Sequence, residues 1–412
     1  MSLNSVQQLT DARGSLDQWL AYIELVHPVG WDLGLTRVTK VAQQLGILTP
    51  APTTVLVAGT NGKGSTCEYL QRFAMANEMS VGKSTSPHLH RFNERIAYNG
   101  EPVADKDIVH AFEEIEASRK NITLTYFEFS VLASLFIFLK RKVDVAILEI
   151  GLGGRLDAMN IVEPDLTIIT SISLDHQTWL GNTREEIGRE KSGIMRRGVS
   201  CVVADRNPPA SILESALGMD VPLYRIGVDF DRLQGVATSL PQDSFDAARQ
   251  AANLMGWDVS KAPQIAENTS LAGRRTLLKD KCDVLLDVAH NPAAALSLAE
   301  HLETRWEGRD IHAVMGMYKD KDIEGVTRIL LPLFKSCHLS SLNELRAEHP
   351  DEFLERLPVK HAESVNTYDT IVEAFESAKE NAESGDLILV CGSFFIVAEV
   401  LRLINRLTVS KK

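Results

Sequence analysis

The sequence is poor in cysteine and carries no excess of positive charge. Its five cysteines, Cys67, Cys201, Cys282, Cys337 and Cys391, are odd in number and form no CxxC pair. That spacing suggests neither a disulfide framework nor a zinc site. Three of them fall in apolar, strand-like runs, where a free thiol acts as a small hydrophobe, which fits a reducing compartment. Acidic residues outnumber basic ones, 55 to 43, for a net charge of −12. Non-specific binding to nucleic acid or an anionic membrane needs the opposite balance, so neither is an expected partner. A local basic pocket for a small anion stays open. Long apolar runs are missing too: Val131–Leu139 falls far short of a membrane span. The polar start, MSLNSVQQLTDARGSLDQWL, has no signal-peptide core. A cytoplasmic location is expected. Repeats and low-complexity tracts are absent as well.

What is present is the composition of a soluble globular protein, 44% hydrophobic and 24% charged over 412 residues. That length exceeds one ordinary core and predicts two domains. TTVLVAG, VDVAILEIG, DLTIITSI and GVSCVVAD read as buried parallel strands, largely apolar and closed by Gly, Asp or Ser. Amphipathic stretches such as Glu68–Ala76 and Ala111–Ser118 lie between them. The alternation predicts an α/β fold with helices on both faces of a parallel sheet. It lapses from about Asp229 to Gln242, restarts with a helix over Ser244–Met255, and resumes after AENTSLAGRR with DVLLDVAH, DIHAVMGM, SCHLSSL and GDLILVCG. A boundary is placed near Asn268–Arg274, dividing residues 1–270 from 271–412.

The stretch VLVAGTNGKGST departs from the G-x-x-x-x-G-K-[ST] phosphate loop, because Gly64 separates Lys63 from Ser65. It still joins a strand to a helix N-terminus, where backbone N–H groups and the helix dipole favour an anion. Lys63 adds charge and the Ser65 hydroxyl can hold a metal. A plain strand-to-helix turn is the competing reading. In ILEIGLGGRLDAMN, Glu149 ends an apolar strand, where an unpaired carboxylate is costly. It can hold Mg²⁺ beside a phosphate loop, or pair with an arginine such as Arg155. Asp157 and Asn160 follow in a loop and can meet polar ligand edges. In TSISLDHQTWLGNTREEIGREKSGIM, His176 is a softer ligand than Mg²⁺ ordinarily takes. Lys191 lies in a dense charge run that reads most simply as a solvated, salt-bridged helix face. In LLDVAHNPAAA, Asp287 ends a strand, His290 and Asn291 make the turn, and Pro292 starts a helix. Arg274, Lys319 and Asp320 add charge nearby. Charged strand ends in two domains predict a nucleotide in an interdomain cleft and an ATP-dependent enzyme. They do not name its substrate.

AGTNGKGST, SPHLHRFNERI, TYFEFSVLA, LEIGLGGRLDAMNIV, SLDHQTWLG, GREKSGI, DVAHNP, MGMYKDKD and LVCGSF, in this order, resemble the folylpolyglutamate synthase/dihydrofolate synthase family of the Mur-ligase superfamily. The resemblance runs from about Asp17 to Val400. In that family a glycine does separate the lysine from the hydroxyl. The resemblance implies a P-loop-type ATPase domain with a parallel-rich sheet flanked by helices, and a smaller Rossmann-like glutamate-ligase domain. ATP would bind between them through Asn61, Gly62, Lys63, Gly64 and Ser65, and through Arg274, Asp287 and His290. Ser244 stands where the family has an adenine-contacting Asn, and LAGRR stands where it has L-P-G-R-F. Two Mg²⁺ sites are implied at Ser65, Glu149 and His176, with Lys191 as a carbamate. A pterin pocket is implied at Arg91, Thr125, Phe127, Asp157 and Ala158.

The implied reaction is ATP-dependent addition of L-glutamate to dihydropteroate, reduced folates or both, with Lys63, Lys191 and His290 catalytic. A carboxylate attacks the γ-phosphate, and the glutamate amine then attacks the acyl phosphate. A monomer is expected. Another Mur-type amide ligase, or an ATP-binding regulator without ligase activity, remains the alternative.

Overall fold

The computed structural model describes residues 14–30, 32–279, 281–344, 346–357 and 365–409. Contacts divide the chain into two compact units, Met1–Thr269 and Ser270–Lys412.

In the first unit, Val-, Ile- and Leu-rich runs form the centre of an eight-stranded sheet. These are β1 (Thr53–Ala58), β5 (Val145–Glu149), β6 (Leu166–Ile169) and β7 (Cys201–Val203), almost wholly buried as strands covered on both faces must be. With β2 (Val81–Ser84), β3 (Ile96–Tyr98), β4 (Glu101–Pro102) and β8 (Leu223–Arg225), the order is β4-β3-β2-β5-β1-β6-β7-β8. Six strands run parallel, while β3 and β4 add an antiparallel ribbon at one edge. Alternating apolar runs do not reveal this ribbon. Its local signal is the Asn99-Gly100 pair, whose φ values of +50° and +86° suit a two-residue hairpin turn.

Helix Tyr126–Arg141 packs on β2, and helix Asp105–Arg119 packs on that helix. Tyr126–Arg141 starts at a capping box in which Thr125 and Glu128 bond each other's backbone N–H. Its middle is buried on every side, and Phe129 meets Phe112 of helix Asp105–Arg119 edge-on at 5.9 Å. On the other face, helix Lys63–Ala76 packs against helix Gln242–Leu254, with Tyr69 and Phe245 5.2 Å apart.

The second unit is a six-stranded sheet ordered β13-β12-β11-β14-β10-β9. Its strands are β9 (Thr276–Lys279), β10 (Asp283–Leu286), β11 (Ile311–Met315), β12 (Ser336–Ser340), β13 (Val365–Tyr368) and β14 (Leu387–Cys391). Only β9 runs antiparallel. β14 inserts between β10 and β11, so β10 and β11 are joined by a crossover that contains helix Pro292–Arg305. Leu285, Met315, Leu339 and Leu389 build its core. Each unit is thus the expected α/β type. Among the described residues no helix is long and apolar enough to cross a membrane.

Candidate functional site

The turn after β1 is shaped by its neighbour β6. Gly59 has φ +149°, and a Cβ there would lie 1.7 Å from Thr170 Oγ1, so only glycine fits. Thr170 donates through Oγ1 to Asn61 O at 2.7 Å, and Thr60 N donates to Ser171 O at 2.7 Å. The loop is therefore clamped before the helix begins at Lys63. Gly62 caps that helix without a side chain, which leaves the first N–H groups directed at the loop. Ser65 is buried in the first turn. Ser244 is buried against the same loop and donates through Oγ to Gly62 O at 3.4 Å.

Two lysines converge here. Lys63 Nζ donates to Gly59 O and Thr60 O, each at 3.1 Å. Lys191 Nζ donates to Gly59 O at 2.8 Å. Lys191 is 3% exposed, so the solvated-face reading of the GREKSG run does not hold. Helix Arg184–Ser192 turns this one cation inward. Burial, reinforced by the Lys63 charge, lowers the Lys191 ammonium to about 7, while Asp175 and Asp157 oppose the shift.

Glu149 stands opposite Val57 in the β1–β5 register, at the same sheet edge as the loop. It is buried, and its Oε2 accepts the Ser86 N–H at 3.1 Å. Arg155 pairs with Glu190 at 2.8 Å rather than supplying the structural partner considered for Glu149. His176 sits at φ +51° before the short helix Gln177–Leu180, and its N–H donates to Asp175 Oδ1 at 2.8 Å.

The GLGGRLDAMN loop leads from Glu149 to an aromatic wall. The Phe127 ring covers Gly151, where an added Cβ would sit 2.4 Å from it. Asp157 accepts Leu152 N–H at 2.8 Å and Met159 N–H at 2.9 Å. Burial raises its carboxyl to about 6 despite these backbone donors. Thr125 caps the helix that carries Phe127, and Ala158 follows Asp157 into a buried 3₁₀ turn. Thr125, Phe127, Asp157 and Ala158 thus share one neighbourhood. Arg91 does not join it; its exposed guanidinium pairs with Asp105 at 2.7 Å.

In the second unit, Asp287 follows β10 and accepts Arg275 N–H at 3.0 Å and Ala289 N–H at 2.9 Å. His290 Nδ1 lies 2.8 Å from Val288 O. Its ring is 6.2 Å from that of Phe394, over which Arg274 stacks at 4.7 Å. Asn291 caps helix Pro292–Arg305 by accepting Ala294 N–H at 3.0 Å.

No group of three His, Cys, Asp or Glu side chains that could hold a metal occurs among the described residues. A buried carboxylate and a hydroxyl beside a phosphate loop instead fit Mg²⁺, which takes few protein ligands when it arrives with phosphates.

Two family models match the chain. The Mur ligase middle domain covers residues 57–227, and the Mur ligase glutamate ligase domain covers residues 273–394. The dihydrofolate synthase/folylpolyglutamate synthase of Escherichia coli K12 is 38% identical over 97% of this chain and 98% of its own length. The chain belongs to the dihydrofolate synthase/folylpolyglutamate synthase family.

Its fold is the family's. The structure of Escherichia coli FolC with DHPP and ADP matches at TM-score 0.91 and 37% identity, covering 95% of this chain and 98% of that one. A Yersinia pestis member with AMPPNP and Mn ion matches at TM-score 0.90, also at 37% identity and covering 95% and 98% of the two chains. The Saccharomyces cerevisiae dihydrofolate synthetase is more distant, at 29% identity over 91% of this chain and 98% of that one. Reasoning from the sequence missed two residues of the SPHLHRFNERI signature that lie beside Glu149. Ser86 reaches it through its backbone N–H, and Arg95 interacts with it electrostatically. Their signal was the signature itself, but only pairing of β2 with β3 and β5 brings the segment to this edge.

Proposed function

We propose that the protein is an ATP-dependent ligase that adds L-glutamate to dihydropteroate, to reduced folates or to both, releasing ADP and phosphate. The observation that carries this reading is the convergence of Lys63, Lys191 and Glu149 at the edge where Phe127 and Asp157 also stand. Gly62, Gly64 and the helix N-terminus cradle phosphate, with Asn61 in the same loop and Ser244 holding it from behind. Lys63 lies where charge develops on a transferring phosphoryl group, and such fixed charge supplies most of the catalysis of that step. In the second unit, Asp287 is assigned to the ribose, and Arg274 and His290 to the phosphates.

Ser65, Glu149 and His176 would hold Mg²⁺ at two sites, and the ion would neutralise phosphate charge when bound. A bare Lys191 ammonium would be repelled there. Its lowered basicity leaves a neutral amine that can add to CO₂, forming an N–C bond and losing a proton, to give an anionic carbamate. Thr125, Phe127, Asp157 and Ala158 would receive the pterin, with Phe127 stacking on it. Arg91, lying outside that neighbourhood, would reach the substrate only from the rim. A cytoplasmic monomer fits this reading.

The deciding experiment is ADP release with dihydropteroate, tetrahydrofolate or a UDP-muramoyl peptide, each with and without glutamate. Glutamate-dependent release with a pteroyl substrate supports the reading. Release with the muramoyl peptide alone selects a cell-wall ligase. Nucleotide binding without any turnover selects a regulator.

A further inference from the structure

Arg95 is an oddly placed cation. It precedes β3, and its carbonyl accepts Thr85 N–H at 3.0 Å, which fixes it at the sheet edge beside Ser86 and Glu149. Its guanidinium lies 5.5 Å from the Tyr126 ring centre and 5.7 Å from that of Phe92. Its Nε–H donates to His88 Nδ1 at 2.8 Å. That bond requires a neutral His88, and burial with the Arg95 charge does lower the imidazole to about 4. The planar head is therefore held on one edge and against two rings that stand edge to face with each other, an arrangement that lysine cannot copy.

Its two terminal amino groups are not spent in the same way. The carboxylates that attract Arg95 are Glu149 and Glu94. Both act on it through space, Glu149 more strongly than Glu94. Glu94 is committed to the N–H groups of Leu89, His90 and Arg91 at 2.7–2.9 Å. Glu149 accepts from Ser86. Arg95 is only partly buried, and its amino groups are not among the buried unpartnered atoms of the described residues, so they stay accessible to an anionic guest. A guanidinium fork matches a carboxylate with two parallel N–H···O bonds.

We propose that Arg95 binds the carboxylate of the pteroyl substrate and orients it toward the phosphate loop. This rests on the function proposed above. Tyr126, under the guanidinium, adjoins Phe127 in the first turn of one helix, so an aryl carboxylate lying along these rings ends at Arg95. Glu149 on the other side marks the phosphate end. One oxygen of the carboxylate stays bonded to Arg95 while the other faces the γ-phosphate.

The test is equilibrium binding of dihydropteroate and of its neutral carboxamide to wild type, Arg95→Gln and Arg95→Lys, with ATP-analogue affinity measured alongside. Two charge-assisted bonds predict that Arg95→Gln weakens dihydropteroate binding by at least about a hundredfold and leaves carboxamide and ATP-analogue binding unchanged. Arg95→Lys, which keeps the charge but not the fork, should give a smaller loss confined to the carboxylate ligand; it serves alone if Arg95→Gln fails to fold. Equal loss for acid and amide, or loss of ATP-analogue binding, would assign Arg95 a structural or nucleotide role and overturn the proposal. So would unchanged binding of both pteroyl ligands. If wild type binds neither, the proposed function itself fails, a result distinct from the other two.

Discussion

Lys63 and Lys191 donate to one acceptor, the Gly59 carbonyl, at 3.1 and 2.8 Å. For a buried ammonium the loss of water is the larger penalty and repulsion by a neighbouring ammonium the smaller, and both fall on the more buried lysine. That is Lys191, lowered to about 7. Its amine is therefore mostly neutral above about pH 7 and mostly cationic below. Uptake of CO₂ should rise as pH passes through that value. We expect a ¹³C carbamate signal with labelled bicarbonate that is strong at pH 8 and weak at pH 6. Lys191→Ala should lose both the signal and ligase turnover, with partial recovery of turnover in short carboxylates. An unmodified amine at pH 8 in a fully active enzyme would remove the carbamate from the mechanism.

Glu149→Gln removes one charge at nearly constant volume and keeps an oxygen for the Ser86 N–H. The fold should survive, with a melting temperature close to wild type. Turnover should fall by at least about two decades, the usual scale for removing an electrostatic group from a transferring centre. Titrating Mg²⁺ checks the assignment: wild-type-like activity at limiting Mg²⁺ would show that Glu149 holds no metal.

Gly59→Ala places a methyl group 1.7 Å from Thr170 Oγ1 at a φ of +149°. Overpacking of that kind costs about 1–3 kcal/mol, and here it also displaces the clamp on Asn61. Chemical denaturation should show the lost stability, and ATP affinity should fall with it. Gly59→Ala combined with Thr170→Ser should not recover, because the hydroxyl, Cβ and backbone N that the new methyl group meets all remain. Full recovery in that double variant would mean the loop bends freely and is not clamped.

Much of this site was legible because it is written in local chemistry. VLVAG followed by a glycine-rich turn is a strand feeding a helix N-terminus, and the structure has β1 and helix Lys63–Ala76 there. VDVAILE gives β5, so Glu149 at its end falls beside the loop once the strands pair. Residues decided by tertiary packing were not legible. GREKSG looks solvated, yet Lys191 is buried while Glu190 of the same run pairs with Arg155. Arg91 and Arg95 are four residues apart in one signature. Only the turn into β3 separates the exposed one from the one held by His88 and two aromatic rings. Ser244 looked like a departure from an adenine contact. It lies against the phosphate loop because helix Gln242–Leu254 packs on helix Lys63–Ala76.

Asp157 tests whether one carboxylate serves both loop and ligand. Its oxygens accept Leu152 and Met159 N–H groups, so a structural role is visible. A pterin contact would use remaining lone pairs, since two carboxylate oxygens offer about four acceptor sites. Asp157→Asn keeps the volume and one acceptor but cannot accept the full donor set of an aminopyrimidine edge. Loss of one charge-assisted bond, roughly 1.5–3 kcal/mol, should lower kcat/KM for dihydropteroate about one to two decades with ATP affinity unchanged. Stability should move in a separate pH window. Burial raises the Asp157 carboxyl from 3.8 to about 6, so the folded state binds a proton more tightly than the unfolded chain. The stability this contributes is fully present below pH 3.8 and is lost as pH rises through about 6. The melting temperature of Asp157→Asn should therefore gain on that of wild type between pH 4 and pH 7. A pH-independent difference with unchanged dihydropteroate kinetics would leave Asp157 as a loop residue only. A pH-dependent difference with unchanged kinetics would confirm its burial and still remove it from the pterin pocket.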